Sequence, residues 1–114
     1  MITRDDILRR VRISTLIELT QDNTDAVSPN WEIVDEAIHN AIDTVRTYTS
    51  RWDGFIKELA IDIAIYYIYK KRISESEILP QGERNLIVEN YKQALKMLSK
   101  LSQRIRSGGK KDGF

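Results

Sequence analysis

The segment that decides the fold is Glu58–Arg72, which reads Glu-Leu-Ala-Ile-Asp-Ile-Ala-Ile-Tyr-Tyr-Ile-Tyr-Lys-Lys-Arg. As a helix it would carry apolar side chains on nearly every face, and a helix that is apolar all round must be covered by neighbouring elements. The segment is too short to span a bilayer, which requires about 20 apolar residues. It therefore predicts a central, buried helix around which the rest of the chain packs.

The overall composition is that of one soluble globular domain. The chain has 114 residues, of which 41% are hydrophobic and 31% charged, and a net charge of +1. This length suits a single core, and so small a net charge predicts no general attraction to nucleic acid or anionic membrane. The absence of cysteine excludes disulfides, a thiolate nucleophile and cysteine-bound zinc. The first residues alternate charged and apolar types, so we expect no secretion signal.

Two further long helices are indicated by apolar stripes on either side of the central segment. Apolar residues recur at spacings of four and three between residues 34 and 48, and again between residues 87 and 105. Pro29, the Asp53-Gly54 turn and Pro80 separate these stretches. The sequence therefore predicts an all-α fold, a small bundle whose three long helices cover about residues 29–50, 56–73 and 81–106.

One or two short helices are predicted before the first long one. Thr3 and Asp6 form a variant capping box that would begin a helix over about residues 4–11, and Ser14 can cap a second short helix. At the other end, Ser107-Gly108-Gly109 is expected to end the last helix. We therefore expect one helical domain over residues 1–106 and a flexible basic tail over residues 107–114.

Charge is distributed unevenly along the chain. Residues 13–45 contain seven acidic residues and no lysine or arginine, whereas residues 92–114 contain seven basic residues and one acid. The predicted acidic face comprises Glu32, Asp35, Glu36 and Asp43. The predicted basic stripe and tail comprise Lys92, Lys96, Lys100, Arg104, Lys110 and Lys111. Like charges four residues apart repel on a helix, so the basic stripe would gain from an acidic surface or from phosphates. The alternative is a solvated face; candidate partners are this chain's own acidic helix, a neighbouring subunit and nucleic acid.

The sequence contains no recognisable catalytic, metal or cofactor site. His39 has Asp35 and Asp43 four residues to either side, but this pattern is more typical of exposed helix charges than of a metal site. No serine lies in a glycine-flanked nucleophile turn. The glycines before Lys110 and Lys111 lack the spacing of a phosphate-binding loop. We therefore expect no enzymatic activity, no metal and no cofactor.

Asp62 is the one acidic side chain inside the predicted central helix. A carboxyl group among apolar residues can have a raised pKa and act as an acid or base, which would allow a small enzyme built around Asp62 and His39. The favoured interpretation is structural: Asp62 pairs with an arginine such as Arg46 or Arg51 and holds the helices in register. Nearby tyrosines could stack on bases but are more typical of core residues: Tyr66, Tyr67 and Tyr69.

Several short stretches resemble a known group of proteins. These are Leu16-Ile17-Glu18-Leu19-Thr20, Asp62-Ile63-Ala64 with Tyr66, Tyr69 and Lys71-Arg72, and the later Tyr91, Ala94-Leu95 and Leu98. Together with the order of elements, they resemble the small helical proteins of tailed-phage morphogenesis clusters, most closely the Mu-like prophage head-completion proteins. That family is similar in design to the head–tail adaptors of long-tailed phages. The resemblance covers nearly the whole chain.

The resemblance implies a structural protein of the virion neck, assembled in the host cytoplasm, that catalyses no reaction. Such a subunit would bind below the portal protein, form a ring, expected to be dodecameric, and extend the DNA channel toward the tail. Its implied partners are further copies of itself, the portal, tail-proximal neck or tail proteins and, non-specifically, DNA in the channel; no membrane is implied. The alternative is a small nucleic-acid-binding regulatory module that uses the basic C-terminal helix.

Overall fold

A computed structural model of the protein describes residues 1–21, 25–70 and 80–112, with side chains as far as residue 103. These ranges contain five helices and no strand. The helices are α1 (Arg4–Leu8), α2 (Ile13–Thr20), α3 (Trp31–Arg46), α4 (Gly54–Tyr69) and α5 (Gln81–Asp112). The predicted all-α fold, with three long helices and two short N-terminal ones, is confirmed. Among the described residues, no helix is both long and apolar enough to cross a membrane.

Helix α4 is the centre of the molecule, as the apolar segment predicted. Nine of its side chains are buried: Ile56, Leu59, Ala60, Ile61, Ile63, Ala64, Ile65, Ile68 and Tyr69. Both α3 and α5 pack along α4, and α1 and α2 make smaller contacts with it. The apolar stripes of the outer helices supply the other side of the core, with Val34, Ala41 and Val45 on α3 and with Ala94 and Leu98 on α5 all buried.

The three long helices form an up-down-up arrangement. Ile33, in the first turn of α3, and Lys70, just after α4, line the same cavity, so α3 and α4 run antiparallel. Glu83, in the first turn of α5, lines a groove with Ile65 near the end of α4, so α4 and α5 also run antiparallel. Helices α3 and α5 therefore run in the same direction, with α4 reversed beside each of them.

Side-chain caps fix where α1, α3 and α4 begin. Thr3 and Asp6 form the predicted capping box of α1. The Asn30 side chain accepts a hydrogen bond from the Glu32 N–H at 3.2 Å, and the Asp53 side chain accepts one from the Ile56 N–H at 2.9 Å. These caps satisfy backbone N–H groups that have no partner within the helix. They place the starts of α3 and α4 within two residues of the predicted positions.

The end of α3 differs from the prediction. Helix α3 ends at Arg46 rather than near Ser50. The Thr47 hydroxyl donates to the Thr44 carbonyl at 2.7 Å, and such side-chain bonds compete with a continuing helix. Helix α4 ends at Tyr69, and the predicted end near residue 73 lies outside the described residues.

Helix α5 begins where predicted but is longer than predicted, because it continues to Asp112. A glycine weakens a helix by about 1 kcal/mol without ending it. A glycine C-cap requires positive φ, and no glycine in the described ranges has it. The prediction that Gly108-Gly109 ends the helix is therefore wrong. The division into a domain over 1–106 and a flexible tail over 107–114 stays a prediction.

Candidate interaction surfaces

The outer face of α3 carries an acidic stripe formed by Glu32, Glu36 and Asp43. Because each helical residue turns by about 100°, these three side chains lie roughly half a turn from the buried Val34 and Ala41. All three are exposed. Their position opposite the core means that the stripe points away from α4.

Asp35 does not belong to this stripe, although the sequence placed it on the acidic face. The Arg4 guanidinium donates to both Asp35 oxygens, from Nη2 at 2.6 Å and from Nε at 3.0 Å. This hydrogen bonding lowers the pKa of Asp35. The Arg4 guanidinium also lies 5.0 Å from the centre of the Trp31 ring. Asp35 therefore joins α1 to α3 within the chain.

His39 lies beside the acidic stripe. Its Nε2 is 3.4 Å from Asp43 Oδ2, and the two side chains are 74% and 57% exposed. Among the described residues, no group of three or more histidine or acidic side chains is arranged to hold a metal ion. His39 and Asp43 thus form an exposed helix pair of the kind that the sequence favoured.

The outer face of α5 carries a basic stripe formed by Lys92, Lys96 and Lys100. The three residues are exposed at successive spacings of four, between a third and half a turn from the buried Ala94 and Leu98. No ion pair within the described part of the chain involves any of them. The other predicted basic residues have side chains outside the described ones: Arg104, Lys110 and Lys111.

The acidic and basic stripes do not neutralise each other inside the molecule. Each lies on a helix that packs against α4, and α3 and α5 share at most a marginal contact. Through residue 103, no described ion pair joins α3 to α5. One small domain therefore presents two oppositely charged surfaces that are both open to solvent.

Asp62 pairs with Arg10, and the prediction of Arg46 or Arg51 is wrong. Its side chain is 18% exposed, and Arg10 Nη2 donates to its Oδ1. Burial raises the pKa of Asp62, and the nearby Arg10 charge opposes that rise. Arg51 instead pairs with Asp53, the N-cap of α4, which lies nine residues, or roughly 13.5 Å along the helix, before Asp62.

Charged side chains also tie the N-terminal segment to α4 at two further points. Asp6 is buried, accepts hydrogen bonds from the Thr3 N–H at 2.9 Å and from the Thr3 hydroxyl at 3.1 Å, and lies 3.3 Å from Lys57 Nζ. Hydrogen bonds from Thr3, with help from Lys57, lower the pKa of Asp6. Arg10 Nη1 lies 3.1 Å from Glu58. The sequence indicated the capping box but contained no signal for the pairing across elements.

A groove lies beside the Arg10–Asp62 pair, between α2, α4 and the start of α5. It measures about 290 Å³, and its apolar lining includes Leu19, Ile65 and Leu86, the last of which is 60% exposed. His39 does not line it, so the structure does not bring His39 and Asp62 together here. The groove offers a mainly apolar surface beside the Arg10–Asp62 ion pair, with polar side chains that include Thr15 and Glu83 also in its lining.

The tyrosines join α4 to α5 and α3. The rings of Tyr66 and Tyr91 stack with centres 3.8 Å apart and planes 9° apart. The Tyr67 hydroxyl lies 2.7 Å from the Thr44 hydroxyl, while Lys70 lies 4.6 Å from the Tyr67 ring centre. Burial raises the pKa of Tyr91. These contacts agree with the packing role that the sequence favoured over base stacking.

A model of the family described as "Bacteriophage Mu, Gp36" matches residues 2–112 of the chain. No curated protein and no solved structure gave a significant match. The family match covers all five helices and both charged stripes.

Proposed function

The chain belongs to the bacteriophage Mu Gp36 family and is a phage protein, and from that premise we propose that it is a structural subunit of the virion neck. In this role it acts as a head–tail adaptor that binds below the portal, forms a ring and extends the DNA channel toward the tail. The ring is proposed to be dodecameric, with the portal and the tail-proximal neck or tail proteins as its neighbours. The proposal includes no chemical reaction, cofactor or membrane.

The observation that carries the proposal is the presence of two unneutralised, oppositely charged stripes on one small domain. A ring requires a heterologous interface, in which one face of a subunit meets a different face of the next. The acidic stripe on α3 and the basic stripe on α5 supply two such different faces. Both are exposed and are free of partners from the opposite stripe, so both are available to neighbouring molecules.

The experiment that tests the adaptor role is removal of this protein from a phage that encodes it. We expect lysates to contain DNA-filled heads and complete tails that have not joined, visible by electron microscopy, and expect joining to return when the wild-type chain is supplied. A protein with Leu86→Ala, which changes an exposed side chain away from both stripes, serves as the matched control and should also restore joining. Normal particles without the protein, or lysates without filled heads, would contradict the role.

A second candidate function follows from the same basic stripe, because Lys92, Lys96 and Lys100 could instead contact the phosphates of nucleic acid. For duplex DNA, the logarithm of affinity would then fall with the logarithm of salt concentration with a slope of about −0.9 per phosphate contacted. A filter-binding titration of the free chain at several salt concentrations separates the two. Tight, salt-sensitive binding by the single chain favours a regulatory module, and negligible binding favours assembly.

A further inference from the structure

We propose that the acidic stripe of one copy binds the basic stripe of the next, with α3 and the neighbouring α5 lying side by side in the same direction. This rests on the proposed function in one respect, namely that copies of the chain assemble. The occupant of each stripe is thus a second copy of this protein. The resulting contact is head-to-tail, since the two surfaces involved are different.

The spacing of the charges favours this pairing. With a rise of about 1.5 Å per residue, Glu32, Glu36 and Asp43 lie at roughly 0, 6 and 16 Å along α3. By the same rule the three lysines lie at roughly 0, 6 and 12 Å along α5. The first two charges of each stripe coincide, and the flexible lysine stem covers the remaining offset of about 4 Å.

The direction of the pairing follows from Glu89, an exposed acid on the same face of α5, one turn before Lys92. In the parallel arrangement, Glu89 lies about 4.5 Å beyond Glu32 along the helix axis and directly opposite none of the three acids. In the antiparallel arrangement, Lys100 would lie opposite Glu32, and the like charges of Glu89 and Asp43 would lie directly opposite each other. The charge pattern therefore favours parallel helices.

The topology of the molecule gives the same direction if copies are related by rotation about an axis along the helices. Helices α3 and α5 are parallel within one copy, because each is antiparallel to α4. A neighbour related by rotation about an axis along the helices keeps that direction, so its α5 is parallel to the first copy's α3. Repeating this rotation builds an open chain of copies with an unpaired acidic stripe at one end and an unpaired basic stripe at the other. Closure into a ring pairs these two stripes with each other. The register set by the charges and the direction set by the fold therefore agree.

The stripes are expected to determine orientation and the rate of joining more than the tightness of the interface. An exposed ion pair contributes little by itself and is screened by salt. Complementary charge nevertheless steers encounter and excludes wrong registers, since like charges would then face each other. Pairing also relieves the repulsion between like charges within each stripe.

The test uses introduced cysteines, because the natural chain has none. One variant carries Glu32→Cys with Lys92→Cys, which the parallel register places opposite each other in adjacent copies. A second carries Glu32→Cys with Lys100→Cys, which the same register places about 12 Å apart, beyond the ~7 Å Cα separation that a disulfide spans. Both are oxidised mildly as purified proteins and in lysates of cells producing the phage. A chain with Glu32→Cys alone can form only dimers and sets the background.

We expect the first variant to form covalent chains longer than dimers. Their yield should be at least tenfold higher than the yield from the second variant. Equal yields from the two variants, or no chains longer than dimers from either in both preparations, would overturn the proposal. A larger yield from the second variant would reverse the proposed direction and overturn it as stated.

A charge exchange tests the same interface without cysteines. Lys92→Glu with Lys96→Glu reverses the two lysines that face Glu32 and Glu36 in the proposed register, and Glu32→Lys with Glu36→Lys reverses those two acids. Each alone should show association weakened at least tenfold by light scattering, and an equimolar mixture should regain it because every contact then joins opposite charges. A mixture that associates no more strongly than either variant alone would contradict the proposed interface.

The outcomes also separate this proposal from the adaptor role. If deletion blocks head–tail joining and the expected cross-links are absent, the adaptor role stands and the interface is wrong. If the cross-links form and deletion leaves particles normal, the interface is right and the adaptor role is wrong.

Discussion

Asp6 and Asp62, two carboxylates where the N-terminal segment meets α4, have opposite electrostatic environments. Asp6 is surrounded by hydrogen-bond donors from Thr3 and by the Lys57 ammonium, so its pKa is lowered. Asp62 is held on the central helix, where loss of water outweighs the attraction of Arg10, so its pKa is raised. A lowered pKa means that ionisation favours the folded state, and a raised pKa means that it opposes folding.

Asp6→Asn tests the first of these environments. We expect the variant to lose about 1 kcal/mol of unfolding free energy at pH 7, the usual contribution of a cap. Because the pKa of Asp6 is lower in the folded state, its stabilisation is complete above the unfolded-state pKa and is lost as the pH falls through the folded-state value. Urea unfolding of both proteins from pH 7 to pH 3 should therefore show a difference that shrinks as the pH falls. A difference that is constant with pH would contradict the assignment.

Arg10 and Asp62 are tested by a double-mutant cycle. Arg10→Ala should cost about 1–3 kcal/mol of unfolding free energy, because it leaves a largely buried carboxylate without its donor. Asp62→Asn should cost much less, since the amide avoids the penalty of burying a charge. In the Asp62→Asn background, Arg10→Ala should cost less than in the wild type. Glu58→Gln removes the exposed partner of Arg10 and is the control, with an expected cost below about 1 kcal/mol. Additive losses in the cycle would mean that the two residues are not coupled.

At this scale the sequence predicted the role of Asp62 better than its partner. A carboxylate within an apolar helix needs a cation, and this reasoning requires no knowledge of the fold. Choosing Arg10 over Arg46 or Arg51 requires knowing which side of α4 faces the N-terminal helices. A single stretch with apolar residues on nearly every face contains no stripe from which that side could be predicted.

At the scale of the elements, α5 is held to α4 by a few fully buried side chains. Leu98 is 0% exposed, while Leu86 on the same helix is 60% exposed. Leu98→Ala should lower the unfolding free energy by about 2–5 kcal/mol, because it removes buried contacts and leaves a cavity. Leu86→Ala should change it by less than about 0.5 kcal/mol. Urea unfolding of the matched pair measures both, and equal effects would show that α5 does not dock through Leu98.

The helices themselves were largely predictable, and their ends were less so. Periodic apolar residues from Val34 to Val45 identified α3, and the unbroken apolar run identified α4, because burial requires those patterns. The end of α3 depended on a threonine hydroxyl bonding locally, and the extension of α5 depended on glycines that a helix tolerates. At a helix end, the conformations that stop and that continue the helix differ little in free energy, so sequence patterns predict the end poorly.

At the scale of the whole molecule, the arrangement of helices separates the charges that the sequence had already grouped. The sequence has an acidic stretch over residues 13–45 and a basic one over residues 92–114, but it left open whether the two meet within one chain. Because α4 lies between α3 and α5, the two stripes stay apart and exposed. Asp35 was predicted on the acidic face but pairs with Arg4 instead, and this pairing depends on where α1 packs.

Lys96→Glu with Lys100→Glu tests whether this separation matters for assembly. Both side chains are exposed on the outer face of α5, so the variant should keep the helical content and the unfolding free energy of the wild type. We expect phage supplied only with this variant to accumulate unjoined heads and tails.

Arg12→Glu with Arg46→Glu makes the same change in net charge at exposed sites outside the basic stripe and is the control. Circular dichroism and electron microscopy of lysates supply the readouts. Normal particles from the Lys96→Glu, Lys100→Glu variant would count against charge pairing between copies.

The mass of the protein in solution, measured by light scattering with and without the purified portal, tests the central claim most directly. If separate charged faces join copies into a ring, the wild-type chain should add to the portal as a defined multiple of its own mass, and raised salt should reduce that addition. A chain that keeps the mass of a single copy at every concentration, and leaves the mass of the portal unchanged, would contradict the claim.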